Sequence, residues 1–202
     1  QAPCAQRGDV VSITPPPDAL DVQLVHEPRD GLGPGGVGVL LARIRRMARS
    51  VCEQHTDPAW HEPVPVLVHE MNVESFMGWC DDHDIDPLRE LVLAAAIATQ
   101  RSADNQPDRS ALLDVAHPMT KHLRPSLRSW AVREVRDCVL DIATADPPTP
   151  PMSLVIDDDD HTDELATALV AWLAAMGSAH AAVTQGSIEV SLAHLLPDRP
   201  VF

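Results

Sequence analysis

From residue 37 to residue 56, side chains of one character return at steps of three and four. Val37, Leu40, Leu41, Ile44, Met47, Ala48, Val51, Cys52 and His55 share a face, and Arg43, Arg45, Arg46 and Arg49 fall away from it. That period predicts a helix lying on a core with its arginines toward solvent. A second helix carries Val73, Phe76, Met77 and Cys80 behind Asn72 as N-cap, and stops in the acidic turn Asp81-Asp82-His83-Asp84. Asp86-Pro87 then supplies a cap and a proline at the first helical position of a helix to about Gln100. Its middle, Leu91 to Ala98, is apolar all round, which predicts a central place in the core. Residues 102–109 read as a polar turn, and 110–116 as one or two helical turns ending before Pro118. A helix at about 125–145, opened by Pro125, sets Leu127, Trp130, Ala131, Val135, Cys138, Val139 and Ile142 on its apolar side.

Elsewhere the period shortens to two. Val22, Leu24 and His26 alternate with their neighbours, Val64 to Val68 forms a short apolar run between prolines, and Met152 to Ile156 forms another. Ile188, Val190 and Leu192 alternate with Ser187, Glu189 and Ser191, the pattern of a strand with one wet face. Between these last two lies a helix from Thr162 to Met176, with Leu165, Leu169, Trp172, Leu173 and Met176 inward and Gly177 as terminator.

The predicted fold class is therefore α+β and predominantly helical. A flexible Pro/Gly-rich arm (1–35) precedes a helical body (36–145); a Pro-rich linker (146–151) leads to a strand–helix–strand module (152–202) packed on the body. If the two strands of that module are sheet neighbours, a right-handed crossover joins them.

Composition narrows the class. A chain of 202 residues, 45% of them apolar, has material for a full core. No run of 18 apolar residues occurs, so no membrane span is predicted. The net charge of −15 argues against an extended phosphate-binding surface, and the absence of Tyr, with only Phe76, Phe202 and four Trp, leaves few stacking platforms for bases or sugars. Arginine supplies all the basic charge except Lys121, a skew that points to a high-GC bacterial genome. Cys4, Cys52, Cys80 and Cys138 match neither zinc-ribbon nor CxxC spacing, the last three fall on apolar helix faces, and no secretory pattern is visible. These features predict small buried thiols in a reducing cytoplasm.

Three constellations carry candidate chemistry. Asp157, Asp158 and Asp159, with His161 behind them, stand where a strand gives way to a helix, a place where carboxylates hold divalent cations; His69 and His83, each beside acids, extend the set of candidate ligands. The simpler reading of these acids is capping and interaction with the helix dipole, and HExxH or two-histidine helical spacing is absent. Gly31 to Gly36 matches GxGxxG formally, but Pro34 removes an N–H donor where phosphate would sit. The third constellation is positive: Arg43, Arg46 and Arg49 on one helix and Arg124 and Arg128 near the start of another would make an anion or nucleic-acid patch if their faces met. The hairpin at 72–101 resembles a helix-turn-helix only in outline, because its second helix is too apolar to lie in a groove. No GxSxG is present, and Cys80 has acidic neighbours that suppress its thiolate.

Taken together, these features predict a soluble, acidic, non-catalytic binding or assembly protein acting through protein–protein contacts, without a cofactor. The alternatives are a small divalent-metal-dependent enzyme using the carboxylate and histidine cluster, and a nucleic-acid-associated protein using the arginine-bearing helices.

Overall fold

The structure, a computed structural model, describes residues 36–53, 70–105, 108–124, 127–145, 148 and 159–197. Within them the chain forms α1 (Gly36–Glu53), α2 (Glu70–Asp81), α3 (Pro87–Ser102), α4 (Arg109–Leu123), α5 (Ser129–Ala143), α6 (Asp159–Thr184) and α7 (Ile188–Leu195). The expected α+β class is corrected to all-helical among the described residues. The arm at 1–35, the strands expected at 22–26, 64–68 and 152–156, and the linker apart from Pro148 lie outside them.

The expected strand at 188–192 is helix α7. Ser187 caps it, its hydroxyl oxygen accepting from the Val190 N–H at 3.2 Å. Five residues satisfy both periods; the next four decide. Leu192, Leu195 and Leu196 are buried and Ile188 packs against the core, a spacing of four and three, while Val190 is 65% exposed. The interpretation of Gly177 is corrected as well. Instead of ending at 176, α6 continues to Thr184 and ends at Gln185, whose φ is 54°. The glycine serves the contact between α6 and α7: a Cβ built there meets Leu192 Cδ2 at 2.7 Å.

Pro118 likewise fails to stop a helix. Asp108 caps α4 by accepting from the Ser110 and Ala111 N–H groups, each at 3.1 Å, and the helix runs through the proline to Leu123. An interior proline costs about 3 kcal/mol. Burial of Met119 and Leu123 beyond it, each worth about 1.5–3 kcal/mol, offsets that cost. Asn72 lies inside α2, which starts at Glu70, and so is not its cap. Asp86 is a cap as expected, accepting from the Arg89 N–H at 3.1 Å with Pro87 at the helix start.

The centre of the molecule is the pair α3 and α6. α6 packs against all six other helices, and α3 packs against α2, α4, α5, α6 and α7. From Glu90 to Gln100 every residue of α3 is buried, and α6 is buried continuously from Val170 to Ser178. Alanines at 94–96 and 98 on α3 and at 166, 168, 171, 174 and 175 on α6 keep the side chains between helices short, so backbones pack closely. By length and composition α6 resembles a membrane span over His161–Thr184, with a mean hydropathy of 1.5, but 72% of that apolar window is buried inside the fold. Interspersed Thr, Ser, Gly and His break the apolar run that the sequence criterion seeks.

Two buried polar side chains on α3, Thr99 and Gln100, are paired. Trp172, fully buried, donates its indole N–H to Thr99 Oγ1 at 3.2 Å, and that hydroxyl donates to the Ala95 carbonyl at 2.7 Å. Gln100 Nε2 donates to the Ala143 and Ala145 carbonyls at the end of α5, each at 3.2 Å. Residues from both sides of the Pro-rich segment thus contribute to one core.

Candidate functional site

The apolar stripe of α1 is committed to the core, so its opposite face is turned outward. Four arginines occupy that outer face, and three have partners. The Arg43 guanidinium lies 4.6 Å from the centre of the Trp79 ring on α2, a cation–π contact. Arg45 donates to the Leu196 carbonyl at 3.2 Å, just past α7. Arg49 forms an ion pair of 3.2 Å with Glu189 on α7. Arg46 is exposed and has no hydrogen-bond or ion-pair partner among the described residues.

Clefts open on either side of Arg46. The one between α1 and α7, about 370 Å³, is lined by Ala42, Arg45, Arg46, Arg49, Glu189, Leu192 and Ala193. The one between α1 and α2, about 310 Å³, is lined by Arg43, Arg46, Met47, Ser50, Ser75 and Phe76. A third space, between α1, α3 and the end of α7, is apolar and only about 30 Å³, room for a water molecule.

The second arginine group does not join this face. Arg124 follows α4, its backbone N–H bonded to the Thr120 carbonyl at 3.2 Å; Arg128 precedes α5 and pairs with Glu164 at 2.9 Å. α1 packs on α2, α6 and α7, whereas α4 and α5 pack on α3, on α6 and on each other.

The expected metal ligands are not brought together among the described residues. Asp157, Asp158 and His69 lie outside them, and Asp159 begins α6 with its side chain outside them too. His83 turns back onto its own helix, Nδ1 donating to the Trp79 carbonyl at 2.8 Å with the two rings 4.5 Å apart. His161 lies edge-on to Trp130 of α5 at 4.7 Å. No group of three or more His, Cys, Asp or Glu side chains converges among the described residues.

Nor do the thiols suit nucleophilic work. Burial first, then the Glu90 charge, push Cys80 up to about 12, with partial relief from Arg43. Burial and then Glu134 push Cys138 up to about 11. Cys52 is buried, donating to the Ala174 carbonyl at 3.2 Å and accepting from the Ser178 hydroxyl at 3.3 Å. All three are free cysteines.

Sequence reasoning found the arginines and missed what frames them: Trp79, Ser75, Glu189 and Ala193. Glu189 lies 140 positions from Arg49, and no local period carries such a pairing. Comparison with protein-family models, curated proteins and solved structures found no match to this chain. Among the described residues the chain is all-helical, with four arginines on the outer face of α1.

Proposed function

We propose that this protein is a non-catalytic helical binding protein whose α1 arginine face docks an acidic polypeptide. One observation carries the reading: among the described residues Arg46 stands unpartnered and exposed on a ridge between two clefts, in a chain of net charge −15 whose carboxylates would ordinarily neutralise it. At physiological ionic strength charges beyond about 8 Å are screened, so the four α1 arginines dominate what an approaching partner meets there. A guanidinium accepts a carboxylate in a two-pronged geometry, and Ala42, Leu192 and Ala193 offer apolar footing beside it. The basic surface is confined to one helix of 18 residues and bordered by Glu189, which suits a short acidic segment better than a long polyanion. We place the protein in the cytoplasm, where free Cys52, Cys80 and Cys138 stay reduced.

The test measures binding of a fluorescent 16-residue peptide alternating Glu pairs with Leu and Ala, and of a single-stranded oligonucleotide of equal charge, to wild type and to Arg46→Glu. The reading expects micromolar peptide affinity that falls at least tenfold in the variant. No peptide binding, equal binding by both proteins, or tighter binding of the oligonucleotide overturns it.

A further inference from the structure

The wall of the α1–α7 cleft is held by a short helix with an unusual attachment. α7 is eight residues long and inserts Leu192 against Gly177 of α6. Beside that contact the rings of His180 on α6 and His194 on α7 stack with centroids 4.9 Å apart and planes inclined by 22°. His180 Nδ1 is buried and has no hydrogen-bond partner among the described residues, and the hydroxyl of buried Ser191 on α7 is in the same condition. Two polar atoms thus sit dry, a cost to the closed arrangement that separation of α7 would relieve by hydration.

His180 is half-buried and His194 exposed. His180 is the only titratable group on α6 between Leu165 and Thr184. On α7 the acid is Glu189, already paired with Arg49 of α1; α1 also presents Arg45, bonded to the Leu196 carbonyl. On α3, Glu90 lines the small apolar space at the far end of α7 with Leu196 and Pro197. Burial and then the charge of His194 hold His180 below its ordinary value. A histidine lowered in the folded state binds its proton more readily once released. Stability is therefore complete above about pH 6.5 and declines as pH falls toward the folded value.

We propose that His180 and His194 form a pH-sensitive latch: the stacked rings hold α7 against α6, and protonation of His180 drives α7 away, dismantling the α7 wall of the cleft. As regulation of the docking face this rests on the function proposed above, but the latch itself is read without any partner. In the acid state Glu189, Leu192 and Ala193 leave their places beside Arg46, and docking is lost.

Hydrogen exchange of the amides at 188–196, corrected for intrinsic rates, tests it at pH 7.5 and pH 5.0. Protection in wild type should fall at least tenfold relative to α3 on acidification, and His180→Gln and His194→Gln should each remove most of that difference. A wild-type α7 equally protected at both pH values overturns the latch, as does the same acid response in both variants. Should a variant not fold, the wild-type imidazole titration followed by NMR decides alone: His180 titrating at or above pH 6.5 overturns it. Failure here with intact peptide binding removes only the latch; failure of peptide binding at pH 7.5 with a pH-responsive α7 removes only the docking reading.

Discussion

Gly177 and Leu192 meet so closely that a single methyl group at residue 177 would lie 2.7 Å from Leu192 Cδ2 and 3.0 Å from Cγ. Leu192 is fully buried, so it has little room to retreat. Gly177→Ala gains about 1 kcal/mol of helix propensity and meets an overpacking cost of about 1–3 kcal/mol. The expected net effect in urea denaturation is a loss of about 1 kcal/mol. In a Leu192→Ala background, itself about 2–5 kcal/mol less stable, the same substitution should stabilise. An unchanged sign across the two backgrounds would show that the two residues do not touch.

Ser187 distinguishes helix from strand at the C-terminal segment. Its hydroxyl oxygen accepts from the Val190 N–H at the start of α7. Ser187→Ala should cost about 0.5–2 kcal/mol by chemical denaturation, and Ser187→Asp should restore most of it. A strand at 188–192 would leave both substitutions within about 0.5 kcal/mol of wild type.

Thr99 and Trp172 form a buried donor–acceptor pair between the two central helices. Thr99→Val keeps the shape and strands the indole N–H, with an expected cost of about 1–3 kcal/mol. Trp172→Phe removes the donor but also leaves a cavity, so its cost is larger, about 2–4 kcal/mol. In the double variant the losses should fall short of their sum by about 1 kcal/mol, the coupling a thermodynamic cycle measures.

The thiol of Cys80, held near 12 against an ordinary 9.0, has a thiolate fraction at neutral pH lower by a factor on the order of 10²–10³. Alkylation by iodoacetamide at pH 7.5 should be slower by at least that factor in the native protein than in urea. Cys138, raised to about 11 but only half-buried, should react faster than Cys80. Fast native labelling of Cys80, located by mass spectrometry, would contradict its burial.

Arg46 and Arg128 predict opposite couplings to their surroundings. Arg46→Ala should leave stability within about 0.5 kcal/mol, since Arg46 has no partner among the described residues. Arg128→Ala breaks an exposed pair with Glu164 and should cost about 0–1 kcal/mol, diminishing with added salt. A large stability loss in Arg46→Ala would mean that its ridge is structural.

Much of this architecture follows from local order alone. α1 and the body of α5 are periodic over more than three turns, long enough for a period of 3.6 to be distinguished from 2, the all-round apolar middle of α3 marks a core helix, and Asp86-Pro87 is a cap written into adjacent residues. The outward placement of Arg43, Arg46 and Arg49 comes from the same period, because a stripe that faces the core leaves the other face to solvent. Only the tertiary structure decided the rest. The alternation at 188–192 is five residues long and fits either element until Leu195 and Leu196 find the core; Pro118 and Gly177 are breakers by propensity that burial and close packing overrule. The same holds for the arginine face of α1. Arg43 above Trp79 and Arg49 against Glu189 join residues far apart in the chain, and such pairings are set by which helices pack, not by the spacing within any one of them.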